Sequence, residues 1–241
     1  MRAGNRSDWA VFAAGSVLVA SFALWAIANP ATLAPTVLED GPFENASAVL
    51  YLLAAYLFAR TATTHRSAGL VAMAPALALA SAMFVFAGEE ISWGQRLIGI
   101  VTPPAVAAAN VQGELNLHNM KAIIALLGGQ QAVTTPLCFG LGLLAPSMSR
   151  ITAWREFVRH RHIHVPPWYL ASLFLGSYAF GRTFHDHFRN LGYQRTTTPE
   201  VSEFLLALAL WAYAFSSAYT STTRSNAATD VPRRALATRS R

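Results

Sequence analysis

The sequence predicts an all-α transmembrane bundle of about six helices with both termini in the cytoplasm. Of its 241 residues, 54% are hydrophobic and only 12% are charged, whereas soluble domains usually carry roughly 25% charged residues. Six apolar segments approach the length of about 20 residues that a helix needs to cross a bilayer. Thirteen of the 18 basic residues fall on one side when these segments alternate in direction. This asymmetry fits the positive-inside rule for a bacterial inner-membrane protein.

The predicted spans make one domain, residues 1–220, and cover roughly 9–29, 42–60, 68–91, 120–144, 166–184 and 199–220. Pro42 and Pro199 suit the first turns of their helices, where the missing N–H costs nothing. The first span ends in Ala26-Ile27-Ala28, which resembles a signal-peptidase site. Its apolar run exceeds a usual signal core, so an uncleaved helix is favoured, and cleavage remains the alternative. Residues 221–241 predict a disordered basic tail, because they lack apolar periodicity.

The basic residues predict contact with the lipid bilayer and no nucleic-acid partner. No basic stripe with interleaved aromatic residues is present, as nucleic-acid binding would require. The run Arg159-His160-Arg161-His162-Ile163-His164 lies in the most basic inner loop. Its main interpretation is a segment that contacts lipid headgroups; a metal cluster is the weaker alternative.

Nine of the twelve acidic residues fall at the outer ends of spans or in outer loops. Glu44, Glu89, Glu90 and Glu203 would lie at or below the membrane boundary. Charge at that depth is costly and usually faces a cavity or an ionic partner. The four residues therefore predict a polar cavity, with structural ion pairs as the alternative. Glu200 needs no such account, because a helix N-terminus favours a carboxylate by itself.

Two segments concentrate polar residues beside this cavity. The first runs from Gly88 to Arg96 and reads GEEISWGQR. If the third helix continues through it, Glu89, Trp93 and Arg96 share one face. The second segment is 110–119, where alternate positions are polar. An extended chain would point these positions one way, whereas a helix would pair Glu114 with His118.

Three histidines on the outer side predict a metal site. His185 and His187 form an H-x-H pair, which places both imidazoles on one face if the segment is extended. Together with His118 and a carboxylate they would bind a divalent metal such as zinc. The alternative is a charged loop beside Arg182 and Arg189.

The stretch from Glu39 to Lys121 resembles a family of polytopic bacterial membrane proteins that carry the GEEISWGQR and NxQxExNLHN motifs. The resemblance implies a membrane protein and no particular reaction. Glu39, Glu44 and Ser47 also faintly resemble alkaline ceramidase-like membrane hydrolases, which bind zinc, but the H-x-x-x-H pair of that family is missing. The Glu89-Glu90 pair resembles intramembrane proteases with an E-E-x-x-x-R motif, yet Arg96 comes too late and the histidine motifs are absent.

The favoured function is a metal-dependent hydrolase or transferase acting on a lipid or lipid-linked substrate. Glu89 or Glu90 would activate a metal-bound water, and Arg96 would hold an anionic headgroup. The substrate or the cavity would contact the remaining polar residues of the motifs, namely Glu44, Trp93, Gln95, Asn110, Gln112, Glu114, Asn119 and Glu203. The alternative is a non-enzymatic transporter, sensor or assembly partner whose acidic cavity binds a cation or a protein.

Overall fold

The computed structural model describes residues 6–37, 41–127, 131–190 and 199–239, except the side chains of Arg96, Gln131, 185–190, Pro199 and 224–239. Within these residues the chain is all-helical, as predicted, with one isolated antiparallel bridge between Asn110 and Met120. The main helices are α1 (Arg6–Ala28), α2 (Pro42–Thr64), α3 (Leu70–Glu90), α4 (Lys121–Leu127), α5 (Gln131–Phe139), α6 (Thr152–His160), α7 (Ala171–Asn190) and α8 (Pro199–Arg239).

In the part of the chain that the structure describes, four helical segments are long and apolar enough to cross a membrane: Arg6–Ala28, Pro42–Thr64, Leu70–Glu90 and Glu200–Thr223. A fifth is obtained if Lys121–Leu127 and Ala132–Met148, which are bent by 50°, form one span. The predicted fourth span is therefore interrupted. Residues 128–130, which join the two pieces, lie outside the described residues. Pro136 and the π-helical segment Gly140–Leu144 further disturb the second piece.

Helix α2 lies between α3 and α8, and α7 joins α8 to α1. The buried face of α2 carries Ala48, Tyr51, Ala54, Phe58 and Ala62, spaced by three or four residues as one helix face requires. The facing positions of α3 are mostly alanines, and small residues allow helix backbones to approach closely in a membrane.

Helix α7 is held by short-range contacts on both sides. A Cβ atom at Gly176 would lie 2.4 Å from Cγ2 of Val19, so only glycine permits this approach to α1. On the other side Ser177 Oγ donates to the carbonyl of Ser202 at 2.7 Å, and Ser202 Oγ donates to the carbonyl of Ser177 at 3.0 Å. The last residues of α7 extend beyond this contact. At about 1.5 Å per residue, Asn190 lies roughly 13 Å past Gly181, which also contacts Ser202.

Helix α7 is not among the apolar spans, although the sequence predicts one at 166–184. Its last two turns carry the charged residues that lower the hydropathy of the whole helix. Helix α8 continues to Arg239, across the segment for which the sequence predicts disorder. Alanine and arginine are frequent there, and both have high helix propensity.

Candidate functional site

Helix α3 ends at Glu90 in a tight left-handed turn. The backbone φ angles of Ser92, Trp93 and Gly94 are 46°, 56° and 76°. Such angles are rare for bulky residues and require support from the surrounding structure. The helix therefore does not continue through the motif, and the predicted common face of Glu89, Trp93 and Arg96 is not formed; the Arg96 side chain lies outside the described residues.

The turn folds the indole of Trp93 back onto the end of α3. A Cβ atom at Gly88 would lie 2.8 Å from two ring carbons of Trp93, so this glycine is the surface on which the indole rests. The indole N–H donates to Oε1 of Glu89 at 2.8 Å. Two of the motif residues thus hold the left-handed turn.

The carboxylate of Glu89 holds the loop 110–119 through hydrogen bonds. Its Oε2 accepts the backbone N–H of Leu117 at 2.6 Å and that of His118 at 2.9 Å. The Nδ1 atom of His118 lies 3.2 Å from the same oxygen. Because both oxygens of Glu89 are engaged, the structure favours a positioning role for this residue.

The segment 110–119 is neither extended nor helical, but a loop closed on itself. Asn110 Nδ2 donates to the carbonyl and to Oδ1 of Asn116 at 2.8 and 2.9 Å, and its Oδ1 accepts the backbone N–H groups of Gln112 and Gly113. Asn119 Nδ2 donates to Oε1 of Gln112. The alternating polar side chains therefore bind one another, which corrects both predicted conformations.

Further bonds connect this loop to the turn after α3. Ser92 Oγ donates to Oε2 of Glu114 and accepts from Nδ2 of Asn116 at 3.1 Å. Oε1 of Gln95 accepts the backbone N–H of Leu115 at 2.8 Å. The two motifs therefore form one hydrogen-bonded unit, and Gln95, Asn110, Gln112, Glu114 and Asn119 are its internal supports.

His118 occupies the boundary between this unit and the acidic residues. Its Nδ1–H donates to Glu89, and its Nε2 lies 2.9 Å from Nδ2 of Asn119, which suits an imidazole that accepts at Nε2. Burial lowers the pKa of His118, but the hydrogen bond to Glu89 and the negative charges of Glu203, Glu89 and Glu44 raise it above its ordinary value overall. His118 is thus a proton-carrying group beside a negative cluster.

Three carboxylates from two helices form the centre of this cluster. Oxygen atoms of Glu90, Glu200 and Glu203 all lie within 4.8 Å of one another. Glu44 is near enough to interact electrostatically with Glu90. The sequence interpretation explains Glu200 as a first-turn carboxylate and does not include it in the site, whereas the structure places it beside Glu90 and Glu203. Its spacing of three from Glu203 was the available signal, since residues i and i+3 share one helix face.

A cavity of about 270 Å³ opens beside these carboxylates. Its polar lining residues are Tyr51, Glu89, Glu90, His118, Thr134 and Glu203. The rest of the described lining is apolar and comes mainly from α3, α4, α5 and α8: Val85, Phe86, Leu117, Ile123, Ile124, Leu127, Val133, Leu137 and Leu206. The cavity is therefore mostly apolar, with three carboxylates among its few polar lining groups.

No known protein family, curated protein or solved structure matches this chain. Any functional conclusion therefore rests on the geometry of the site.

The structure does not bring the three predicted histidine ligands together in one described site. The side chains of His185 and His187 lie outside the described residues, but their backbone is helical rather than extended. In a helix, positions i and i+2 point about 200° apart. Among the described residues, the only group of three whose ligand atoms converge is the acidic triad of Glu90, Glu200 and Glu203. An all-oxygen set suits magnesium, calcium or manganese better than zinc.

Proposed function

We propose that this chain is a multi-pass protein of the bacterial inner membrane that acts on a lipid or lipid-linked substrate with the help of a divalent cation. The observation that carries the proposal is the acidic triad, two of whose members, Glu90 and Glu203, line a mostly apolar cavity. Both termini are proposed to be cytoplasmic, because the arginine-rich segments then lie inside. The triad and the loop 110–119 then face the extracytoplasmic side.

The shape of the cavity supports an amphiphilic substrate. Binding pockets are usually apolar with a few polar groups that orient the ligand. Here Ile123, Ile124 and Leu127 on α4 offer a surface for an acyl or isoprenoid chain, while Glu90 and Glu203 face its polar group. A small, fully polar solute would leave the apolar wall without a partner.

The triad supports a bound cation. Three carboxylates this close repel one another if all are ionised, so they need protons or a cation between them. Glu90, Glu200 and Glu203 supply the hard oxygen ligands that magnesium, manganese or calcium prefer. A cation there would polarise an ester or phosphoester oxygen and lower the pKa of a bound water. His118 lines the same cavity and is suited to carry the proton of that water to the leaving group.

Lipid turnover tests this proposal. Purified protein, incubated with a bacterial lipid extract and manganese, is expected to release a product detectable by mass spectrometry. A chelator and Glu203→Gln should each abolish the release. Ile124→Trp should reduce it, because the indole fills the apolar wall. Leu126→Trp is the matched control, since Leu126 lies on the same helix, is 82% exposed and does not line the cavity.

A second candidate is a carrier or sensor for cations. Acidic residues within membrane helices commonly mark ion pathways, and Glu90 and Glu203 lie within the candidate spans. Cation-dependent flux or conformational change in liposomes, without any lipid product, would favour this candidate and reject the enzyme.

A further inference from the structure

A cluster of three histidines lies at the opposite end of the bundle from the acidic triad. His65 follows the last residue of α2, and the 21 residues from Glu44 to His65 span about 32 Å along the axis. The imidazole centroid of His65 lies 4.8 Å from that of His162 and 5.9 Å from that of His164. His65 comes from a different segment, so the local histidine run does not reveal this cluster.

We propose that His65, His162 and His164 form a binding site for a divalent transition metal such as zinc. The ring spacing supports this. A zinc–nitrogen distance of about 2.0–2.1 Å places ring centroids roughly 5 Å apart in a tetrahedral site. The three sets of ring nitrogens lie farther apart than the oxygens of the acidic triad. Metal binding therefore requires the rings of His65 and His162 to turn about their broad χ2 torsions while His164 stays on Ser221.

The hydrogen bonds around His164 prepare it as a ligand. Ser221 Oγ donates its hydrogen to the carbonyl of Ser217 at 2.9 Å. The same Oγ lies 3.0 Å from Nε2 of His164, so it accepts a hydrogen bond from Nε2–H. This favours the tautomer with its hydrogen on Nε2, in which Nδ1 is the atom that would bind a metal. Metal-ligating histidines characteristically donate their second N–H in this way.

The backbone also positions His162 and His164. His162 has a φ angle of 53°, an unusual left-handed conformation that reverses the chain after α6. The hydroxyl of Tyr213 on α8 donates to the carbonyl of His164, which fastens the segment to the bundle. Because imidazole suits zinc, copper and nickel and the flanking Arg159 and Arg161 disfavour weakly bound cations, the site should select transition metals over magnesium or calcium.

Zinc titration tests this site independently of the acidic triad. The full chain, purified in detergent through a tag that lacks histidine and stripped with chelator, is titrated against a chromophoric competitor. The Glu90→Gln/Glu203→Gln double variant should still bind one zinc ion. His65→Ala, His162→Ala and His164→Ala should each weaken that binding at least about tenfold, and Ser221→Ala by about 10–100-fold.

His160→Ala is the matched control, because His160 lies in the same run and is exposed. It should bind zinc as the wild type does. His164→Gln separates loss of a ligand from misfolding, because Tyr213 bonds to the backbone carbonyl of residue 164 and this bond is retained. A monodisperse His164→Gln variant should also bind zinc weakly. Unchanged affinity in the His65 and His164 variants, or an equal loss in His160→Ala, would overturn the proposal.

Discussion

Oε2 of Glu89 lies 3.2 Å from Nδ1 of His118 and also accepts the backbone N–H of that residue at 2.9 Å. One carboxylate at the end of α3 therefore fixes both the position and the tautomer of the histidine that borders the cavity. This contact attaches the loop 110–119 to the end of α3. The hydrogen bond from Ser92 to Glu114 attaches the same loop to the turn that follows α3.

Protonation of His118 should contribute to stability in a pH-dependent manner. Its pKa is raised in the folded protein, so the stabilisation is complete below the unfolded value of about 6.5 and is lost as the pH rises through the folded value. Thermal unfolding measured across this range should show that dependence. His118→Gln and Glu89→Gln should both flatten it, whereas the exposed His160→Gln should leave it unchanged. An unaltered profile in His118→Gln would refute the assignment.

Gly88→Ala should destabilise the protein by about 1–3 kcal/mol, because the new methyl group overlaps the indole of Trp93. Displacement of the ring also breaks its bond to Glu89. The measurement is a double-mutant cycle by denaturant unfolding, in which the cost of Gly88→Ala should shrink in a Trp93→Ala background. Gly140→Ala is the control, since an added Cβ there meets nothing within 4 Å. Equal costs in both backgrounds would show that the indole does not rest on Gly88.

The proposed orientation predicts which loops an impermeant thiol reagent reaches in intact cells. In a Cys138→Ser background, cysteines at positions 36 and 105 should be labelled, and those at 68 and 157 should be protected until the cells are lysed. The arginine asymmetry supplies the reason. Labelling of position 157 from outside would reverse the topology and place the acidic triad in the cytoplasm.

Hydropathy was sufficient to predict an all-α chain and the helices α1, α2, α3 and α8, because long apolar runs have few alternatives. The convergence of Glu90, His118 and Glu203 also followed from placing helix ends on one side. Other features depend on contacts that local patterns do not contain. The left-handed turn at Trp93 is rare for an aromatic residue, so the sequence favoured a continuing helix.

The acidic triad and the histidine cluster likewise depend on tertiary contacts that the local sequence does not reveal. By its sequence Glu200 is an ordinary first-turn carboxylate, and only the packing of α3 and α8 against the two sides of α2 brings it to Glu90. His65 stands alone in the sequence and meets His164 only through the fold. The sequence predicts zinc ligands from residue type alone. In the described residues, the ligand atoms that come together at that end of the bundle are carboxylate oxygens.

Manganese binding tests the acidic triad most directly. It is measured by titrating purified protein with manganese and recording the electron paramagnetic resonance signal of free manganese, which is lost on binding. The account predicts one bound manganese ion in the wild type and in the exposed control Glu156→Gln, and a loss of that ion in Glu90→Gln, Glu200→Gln and Glu203→Gln. The triad variants should also unfold at higher temperature than the wild type in chelator, because their carboxylates no longer repel one another. Equal binding in all four variants, or no binding in the wild type, would contradict a cation site at the triad.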